Sequence, residues 1–302
     1  MGNKKLSIVT INYNNVAGLK ATLESVAKQT CHEFEHIVID GGSNDGSVEI
    51  IREYESIISN RKSIILKWVS EKDNGIYDAM NKGVEIASGI RVVNALNRSE
   101  LVEDKNKGIK KAAGEYLYFL NSGDVFAADD VVDSMIELLD GTDITVGRVN
   151  KLTRGRIYCQ TDLLTEADMS MYQMYLHGIN HQSAIIRRTI QMEHLYDATL
   201  KIGADWKFFV ETIVLGGAKV KFVDKIFANY DMSGVSSNMA QLRKEREKIM
   251  VDILPERIAR DYLTIAPHYY EVTRVEWLLR HPFWYKLYRG MTTFARKMNK
   301  VQ

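Results

Sequence analysis

The sequence predicts an α/β fold with a mostly parallel central sheet flanked by helices, followed by a C-terminal helical extension. Three observations carry that prediction. Apolar, β-branched runs alternate with segments of helical spacing along the N-terminal part of the chain. The loops between them are short and polar, which is the pattern of βαβ units and right-handed crossovers. Each apolar run also ends near a carboxylate or hydroxyl. In a parallel sheet those ends share one edge, where open α/β sheets bind ligands.

Residues 6–11 (Leu-Ser-Ile-Val-Thr-Ile) are β-branched and uncharged, as expected of a strand buried on both faces. A polar turn, Asn12-Tyr13-Asn14-Asn15, leads to a helix over residues 19–29 with Leu19, Leu23, Val26 and Ala27 at helical spacing. Residues 34–40 form a second strand ending in Asp40. After the Gly41-Gly42-Ser43-Asn44-Asp45-Gly46-Ser47 loop, Ser47 is placed to cap a helix over 48–54. A third strand spans 64–69 and runs into Glu71 and Asp73. A fourth spans 115–120 and runs into Asn121-Ser122-Gly123-Asp124, a turn whose oxygen donors suit a hard divalent cation. Such a string is also ordinary turn chemistry. Further on, residues 129–139 read as a helix and 144–146 as a short strand. Residues 180–188 read as a strand opened by His181 and Gln182. A helix with the apolar face Phe208, Phe209, Ile213 and Val214 carries Asp205 in its first turn. There a carboxylate serves as an N-cap or meets the helix dipole.

The 302 residues are 45% hydrophobic and 26% charged with a formal net charge of +1, a globular composition without the basic excess of a nucleic-acid binder. Two cysteines, Cys31 and Cys159, argue against a disulfide framework and for a reducing compartment. The N-terminus enters a strand at once, so no signal peptide is expected. Leu6 stands where a myristoylation motif needs Ser or Thr. A cytoplasmic location, peripheral at the inner face of the cell membrane, is the expectation. A dinucleotide-binding dehydrogenase is disfavoured, because Asn12-Tyr13-Asn14-Asn15-Val16-Ala17 lacks the Gly-x-Gly-x-x-Gly that must follow the first strand.

Four blocks together resemble the family 2 glycosyltransferases of bacterial capsule, exopolysaccharide and lipopolysaccharide synthesis. They are Val9-Thr10-Ile11-Asn12-Tyr13-Asn14, the Asp40–Ser47 loop, residues 73–83 (Asp-Asn-Gly-Ile-Tyr-Asp-Ala-Met-Asn-Lys-Gly) and residues 119–124 (Phe-Leu-Asn-Ser-Gly-Asp). The resemblance covers roughly residues 5–230, and the block from Asp73 to Gly83 is its most specific part. It implies a GT-A fold, a nucleotide-sugar donor (UDP by default), a divalent cation (Mn2+ or Mg2+) and inversion at the anomeric carbon. By the same resemblance Thr10, Asn12, Asp40, Asp73, Asn81, Asn121 and His181 fall on the donor, Asp124 on the metal, and Asp205 at the acceptor-activating base. Relatives commonly carry a further Asp where Gly123 stands. The alternative is a catalytically weakened relative that still binds nucleotide-sugar.

One feature departs from the family pattern. Asn81-Lys82-Gly83-Val84-Glu85-Ile86-Ala87-Ser88-Gly89 recurs as Asn106-Lys107-Gly108-Ile109-Lys110-Lys111-Ala112-Ala113-Gly114, an offset of 25 residues (106 − 81). A duplication or insertion over about 81–114 therefore sits beside the expected site, where a second helix on the sheet edge would be tolerated. The glycosyltransferase domain is expected to span 1–235 and a helical, basic-aromatic extension 236–302. Residues 274–302 combine aromatic and basic side chains at helical spacing. Such a segment lies in a membrane interface, where a glycan or lipid-linked acceptor is presented, or docks on the domain or a partner subunit.

Overall fold

The computed structural model describes residues 5–59, 64–93, 99–101, 114–153, 155–232 and 238–298. It forms two compact units, Met1–Arg246 and Glu247–Gln302.

The first unit opens with β1 (Leu6–Asn12), α1 (Val16–Ala27), β2 (Phe34–Asp40), α2 (Ser47–Ser59), β3 (Ile65–Ser70) and α3 (Ile76–Ala87). A small antiparallel hairpin of β4 (Arg91–Val93) and β5 (Ser99–Leu101) follows. Then come β6 (Tyr116–Phe119), β7 (Val125–Phe126), β8 (Ile144–Thr153), β9 (Arg156–Gln160), β10 (Ala184–Arg187) and β11 (Val220–Asp231). The main sheet runs β3-β2-β1-β6-β10-β8-β11-β7, with β9 paired to β8. β3, β2, β1 and β6 are mutually parallel. β10 is antiparallel to both its neighbours, and β11 is parallel to β8.

β1 and β2 are buried at every position, so they lack the regular apolar–polar alternation of a half-exposed strand, and their polar members Ser7, Thr10, Glu35 and His36 are buried too. On one face, Leu6 and Ile8 of β1 and Phe34 and Val38 of β2 pack with Leu19, Leu23 and Val26 of α1 and Ile51, Tyr54 and Ile58 of α2. Each fully buried side chain of this kind contributes about 1.5–3 kcal/mol through removal from water. One polar strand runs through this layer: Thr10 Oγ1 meets His36 Nε2 at 3.0 Å, and His36 Nδ1 meets the Tyr54 hydroxyl at 2.8 Å. Burial holds the His36 pKa down to about 3, so the ring is neutral.

Three local expectations change. Ser47 is the first residue of α2 rather than its cap; Asp45 Oδ1 accepts from its hydroxyl and its N–H, at 2.6 and 3.1 Å. β8 is ten residues long rather than three, because Asn150 is buried and answered by Asn229 of β11 at 2.8 Å, a cross-strand partner invisible in the local pattern. Residues His181–Ser183 form a 3-10 turn, and the strand starts only at Ala184.

The second unit contains the helices Glu256–Ile265, Tyr269–Arg280 and Pro282–Met298. His281 joins the last two, stacking on Trp277 with ring centroids 4.2 Å apart. No helix among the described residues is long and apolar enough to cross a membrane.

Candidate active site

Strand direction assembles the site. In β1, β2 and β3 the residues Asn12, Asp40 and Ser70 are in register at the C-terminal ends. β6 runs the same way, and its continuation stays beside β1: Leu120 N–H donates to Val9 O and Ser122 N–H to Ile11 O, at 2.9 and 3.0 Å. β10 runs the opposite way, so its N-terminal end, preceded by His181 and Gln182, reaches the same edge. β7 pairs with β11 through Val125 and Asn229, which brings Asp124 to the end of β11.

Asp40 is fully buried and forms the floor of one half of the edge. Its Oδ1 accepts from Asn12 Nδ2 (2.8 Å) and Ser43 Oγ (2.6 Å). Its Oδ2 accepts from Ser70 Oγ (2.7 Å) and Ser43 N–H (2.9 Å). A buried carboxylate is tolerable only with such partners. Asp73 lies beside it: a Cβ on Gly41 would fall 2.5 Å from Asp73 Oδ2, so only glycine admits this approach. Burial raises the pKa of Asp73; the Gly75 N–H and Lys82 work against that, while Asp78 and Asp40 add to it. The Asp73–Gly83 block is also stitched locally. Asp73 Oδ1 accepts the Gly75 N–H at 2.9 Å, Asp78 Oδ2 the Asn74 N–H at 2.9 Å, and Lys82 reaches Glu71 at 3.3 Å.

The Asn121–Asp124 turn forms the other half. Gly123 adopts φ +103°, a left-handed conformation in which an Asp would be strained. Its N–H meets Thr22 Oγ1 at 3.0 Å. Asp124 is only 5% exposed. Its Oδ2 accepts from Gln182 Nε2 at 3.0 Å and its Oδ1 from the Asp231 N–H at 3.3 Å. Burial pushes its pKa up to about 6, against the pull of the Gln182 hydrogen bond and of His181.

A third group of residues joins this turn to Asp205. Asn121 Nδ2 lies 3.0 Å from His181 Nε2, and His181 Nδ1 lies 3.2 Å from Asp205 Oδ2. With the Asn121 amide donating to Nε2, the imidazole proton sits on Nδ1 and points at Asp205. Asp205 Oδ1 accepts the Trp206 N–H at 2.8 Å and faces the Tyr77 hydroxyl at 3.4 Å. Burial and the neighbouring Asp205 carboxylate keep that phenol protonated.

Asn12, Asp40 and Asp73 thus form one group and Asn121, Asp124, His181 and Asp205 another, joined where the Asn121–Asp124 turn runs beside β1. Thr10 and Asn81 are placed differently. Thr10 is fully buried one pleat below Asn12, with its hydroxyl committed to His36. Both amide atoms of Asn81 bind the backbone of Tyr196, at 2.8 and 2.9 Å. Ser43, Ser70 and Asp231 are contributors that were not singled out from the sequence, whereas Gln182 was named there beside His181. Asp231 was findable as one more carboxylate at a strand end, had residues 220–231 been read as a strand. The second copy of the repeat, residues 106–114, lies outside the described residues except Gly114.

For a divalent cation the donor set is small. Among the described residues no group of three or more His, Cys, Asp or Glu is arranged to hold a metal. Asp124 is nevertheless a buried carboxylate whose charged form burial disfavours, and Asn121 Oδ1 is buried without a hydrogen-bond partner. These residues fit a cation that takes one carboxylate from the protein and its remaining oxygens from substrate phosphates and water.

Residues 7–94 match the model of the glycosyl transferase family 2. The chain is 35% identical over 137 residues to an uncharacterized glycosyltransferase of Mycobacterium tuberculosis, covering 45% of this chain and 40% of that one. It therefore spans less than half the length of that relative. It is 27% identical over 243 residues to a PGL/p-HBAD biosynthesis glycosyltransferase of the same species, covering 79% and 81%. Residues 1–349 of TarS from S. aureus, solved in complex with UDP-GlcNAc, superpose with a TM-score of 0.57 at 18% identity, over 84% of this chain and 69% of that one. A mannosyltransferase of Pyrobaculum calidifontis, in complex with GDP-Man and Mn2+, superposes with a TM-score of 0.50 at 15% identity, over 83% and 63%. Residues 7–94 are thus similar to the family 2 glycosyltransferases, and the chain, with its mostly parallel sheet flanked by helices, has the GT-A fold.

Proposed function

We propose that this protein is an inverting, metal-dependent glycosyltransferase. It moves a sugar from a nucleoside-diphosphate donor, UDP by default, to a saccharide or lipid-linked acceptor of a cell-surface polysaccharide. The observation that carries the reading is that Asp40, Asp73 and Asp124, far apart in sequence, stand along one strand edge, with Asp205 linked to it through His181 and Asn121. The nucleotide-sugars bound by TarS and by the mannosyltransferase support it by analogy of fold.

In this reading the Asp40–Asn12–Ser43–Ser70 group and Asp73 hold the nucleoside. Asp124 holds a Mn2+ or Mg2+ ion, with Asn121 Oδ1 available to its water shell. Bound there, the cation would neutralise the charge of the departing diphosphate. Asp205 takes the proton of the acceptor hydroxyl. The acceptor oxygen bonds to the anomeric carbon as the carbon–phosphate oxygen bond breaks on the opposite face. The nucleoside diphosphate leaves with that electron pair, so a single displacement inverts the centre. His181, donating from Nδ1, orients the Asp205 carboxylate, and the Trp206 N–H holds its other oxygen.

The C-terminal unit supplies a membrane-surface contact through residues 274–302, which would bring the enzyme to lipid-linked acceptors. The experiment is a nucleotide-sugar panel read by thermal shift with and without Mn2+, followed by turnover on the donor that stabilises the protein. Asp205→Asn is expected to retain donor stabilisation and lose turnover, and Asp124→Ala to lose the Mn2+ response. If both variants turn over like wild type, the catalytic reading fails. Donor binding without turnover in the wild type identifies a weakened relative instead.

A further inference from the structure

Glu245, on the helix Met239–Ile253, reaches back to the loop that leads into Asp205. Its two carboxylate oxygens accept the backbone N–H of Lys201 at 3.1 and 3.2 Å, and Oε2 also accepts those of Ile202 and Gly203, each at 2.9 Å. Gln241, one turn earlier, donates Nε2 to Oε1 at 2.9 Å. Three consecutive amides aimed at one point make an anion-binding concavity, and here a side chain of the same unit fills it. The carboxylate is 8% exposed. Burial alone would raise its pKa, but the bonds from Gln241, Ile202, Gly203 and Lys201 outweigh that and hold it below the ordinary carboxylate range.

The opposite side of the loop is held by α3. The Tyr77 hydroxyl donates to the carbonyl of Ile202, whose own N–H is bound by Glu245. Gly203 directly precedes the helix Ala204–Phe209, and Asp205 is that helix's second residue. The loop is therefore fixed from two elements distant in sequence.

We infer that Glu245 is a positioning residue for the general base: by binding the amides of residues 201–203 it sets where the Asp205 carboxylate stands relative to the acceptor hydroxyl. This rests on the reading of Asp205 as the base. Misplacing a catalytic group by about 1 Å costs on the order of 10²-fold in rate. Glu245→Gln keeps the side-chain length and one acceptor oxygen; Glu245→Ala removes the anchor.

The test compares both variants with wild type in kcat, in UDP affinity by calorimetry and in amide hydrogen exchange at residues 201–203. The expected result is a kcat lowered about 10-fold in Glu245→Gln and about 100-fold in Glu245→Ala. UDP affinity stays unchanged, and exchange quickens at residues 201–203 in both. Tyr77→Phe, which releases the same loop, is expected to add less than its own effect on top of Glu245→Ala. A folded Glu245→Gln with wild-type kcat and wild-type protection of these amides overturns the inference. So does a loss of UDP affinity matching the loss of kcat, which marks a general disruption. If Glu245→Ala fails to fold, Glu245→Gln carries the test. Asp205→Asn run alongside separates the two failures: wild-type turnover there sinks the base assignment itself.

Discussion

His181 Nδ1 lies 3.2 Å from Asp205 Oδ2, and the same ring is held at Nε2 by Asn121. The imidazole therefore connects the Asn121–Asp124 turn with the carboxylate proposed to activate the acceptor. His181→Ala removes the donor that orients Asp205 and leaves the Asn121 amide unpaired. A positioned general base is worth about 10²–10⁴-fold, and losing its orienting partner is expected to forfeit part of that, roughly 10–100-fold in kcat. UDP affinity measured by calorimetry is expected to stay near wild type. Wild-type kcat in this variant would show that the pair has no part in the reaction.

Asp124 bears on stability as well as on the proposed metal. Its folded pKa of about 6 exceeds the unfolded value of 3.8, so the folded state gains protons on it more readily. The carboxylate therefore destabilises the fold above pH 6, and this penalty is relieved as the pH falls from about 6 towards 4. Asp124→Asn is expected to raise the metal-free Tm at pH 7.5, by an increment on the order of 1–3 kcal/mol in unfolding free energy. It is also expected to abolish the further rise that Mn2+ with UDP gives the wild type. A variant that melts lower than wild type without metal and still responds to Mn2+ contradicts this account of the site.

β1, β2 and β6 were legible because burial on both faces leaves short runs without a two-residue alternation, and the segments of helical spacing between them set the α/β order. The acid-lined edge was legible because strand direction fixes where Asp40, Asp73 and Asp124 must stand. Thr10 and Asn81 were not, because a motif names a residue without its rotamer. Thr10 points along the pleat into the α1–α2 layer and bonds His36. Asn81 spends both amide atoms on Tyr196, 115 residues away in sequence. β11 escaped notice because its register with β8 shifts between Phe222 and Ile226 and again between Ile226 and Ala228, which breaks the alternation a strand would otherwise display. Glu245 escaped because its partners are backbone amides, which carry no side-chain signature.

His36 gives the fold an acid limit. The ring is neutral in the folded protein, with a pKa of about 3 against 6.5 for the free group. Between those values the unfolded chain binds the proton and the folded chain does not. This contribution to stability therefore falls as the pH drops below 6.5, by about 1.4 kcal/mol per pH unit, or about 2 kcal/mol by pH 5. Asp124 opposes the trend over part of the same window. The direct check is the imidazole nitrogen spectrum of His36, expected to stay that of a neutral ring at pH 5. Titration near 6.5 in the folded protein would refute the burial argument.

The helix Pro282–Met298 makes the proposed membrane contact testable. Phe283, Trp284, Leu287, Tyr288 and Met291 recur at spacings of one, three and four residues and are each 47% or more exposed. Lys286 and Arg289 fall on the other side of the helix, with Arg289 over the Tyr285 ring at 5.9 Å. No Asp or Glu follows Glu276 in the sequence, whereas Arg280, Lys286, Arg289, Arg296, Lys297 and Lys300 do. An aromatic apolar side backed only by cations matches an anionic bilayer surface, where each basic residue adds about 1 kcal/mol. The chain is expected to sediment with vesicles rich in phosphatidylglycerol, to stay in solution with neutral phosphatidylcholine vesicles, and to be released by high salt. Phe283→Glu with Met291→Glu is expected to abolish sedimentation while leaving UDP affinity intact. Equal binding to neutral vesicles, or no effect of the double substitution, would exclude this helix as the membrane contact.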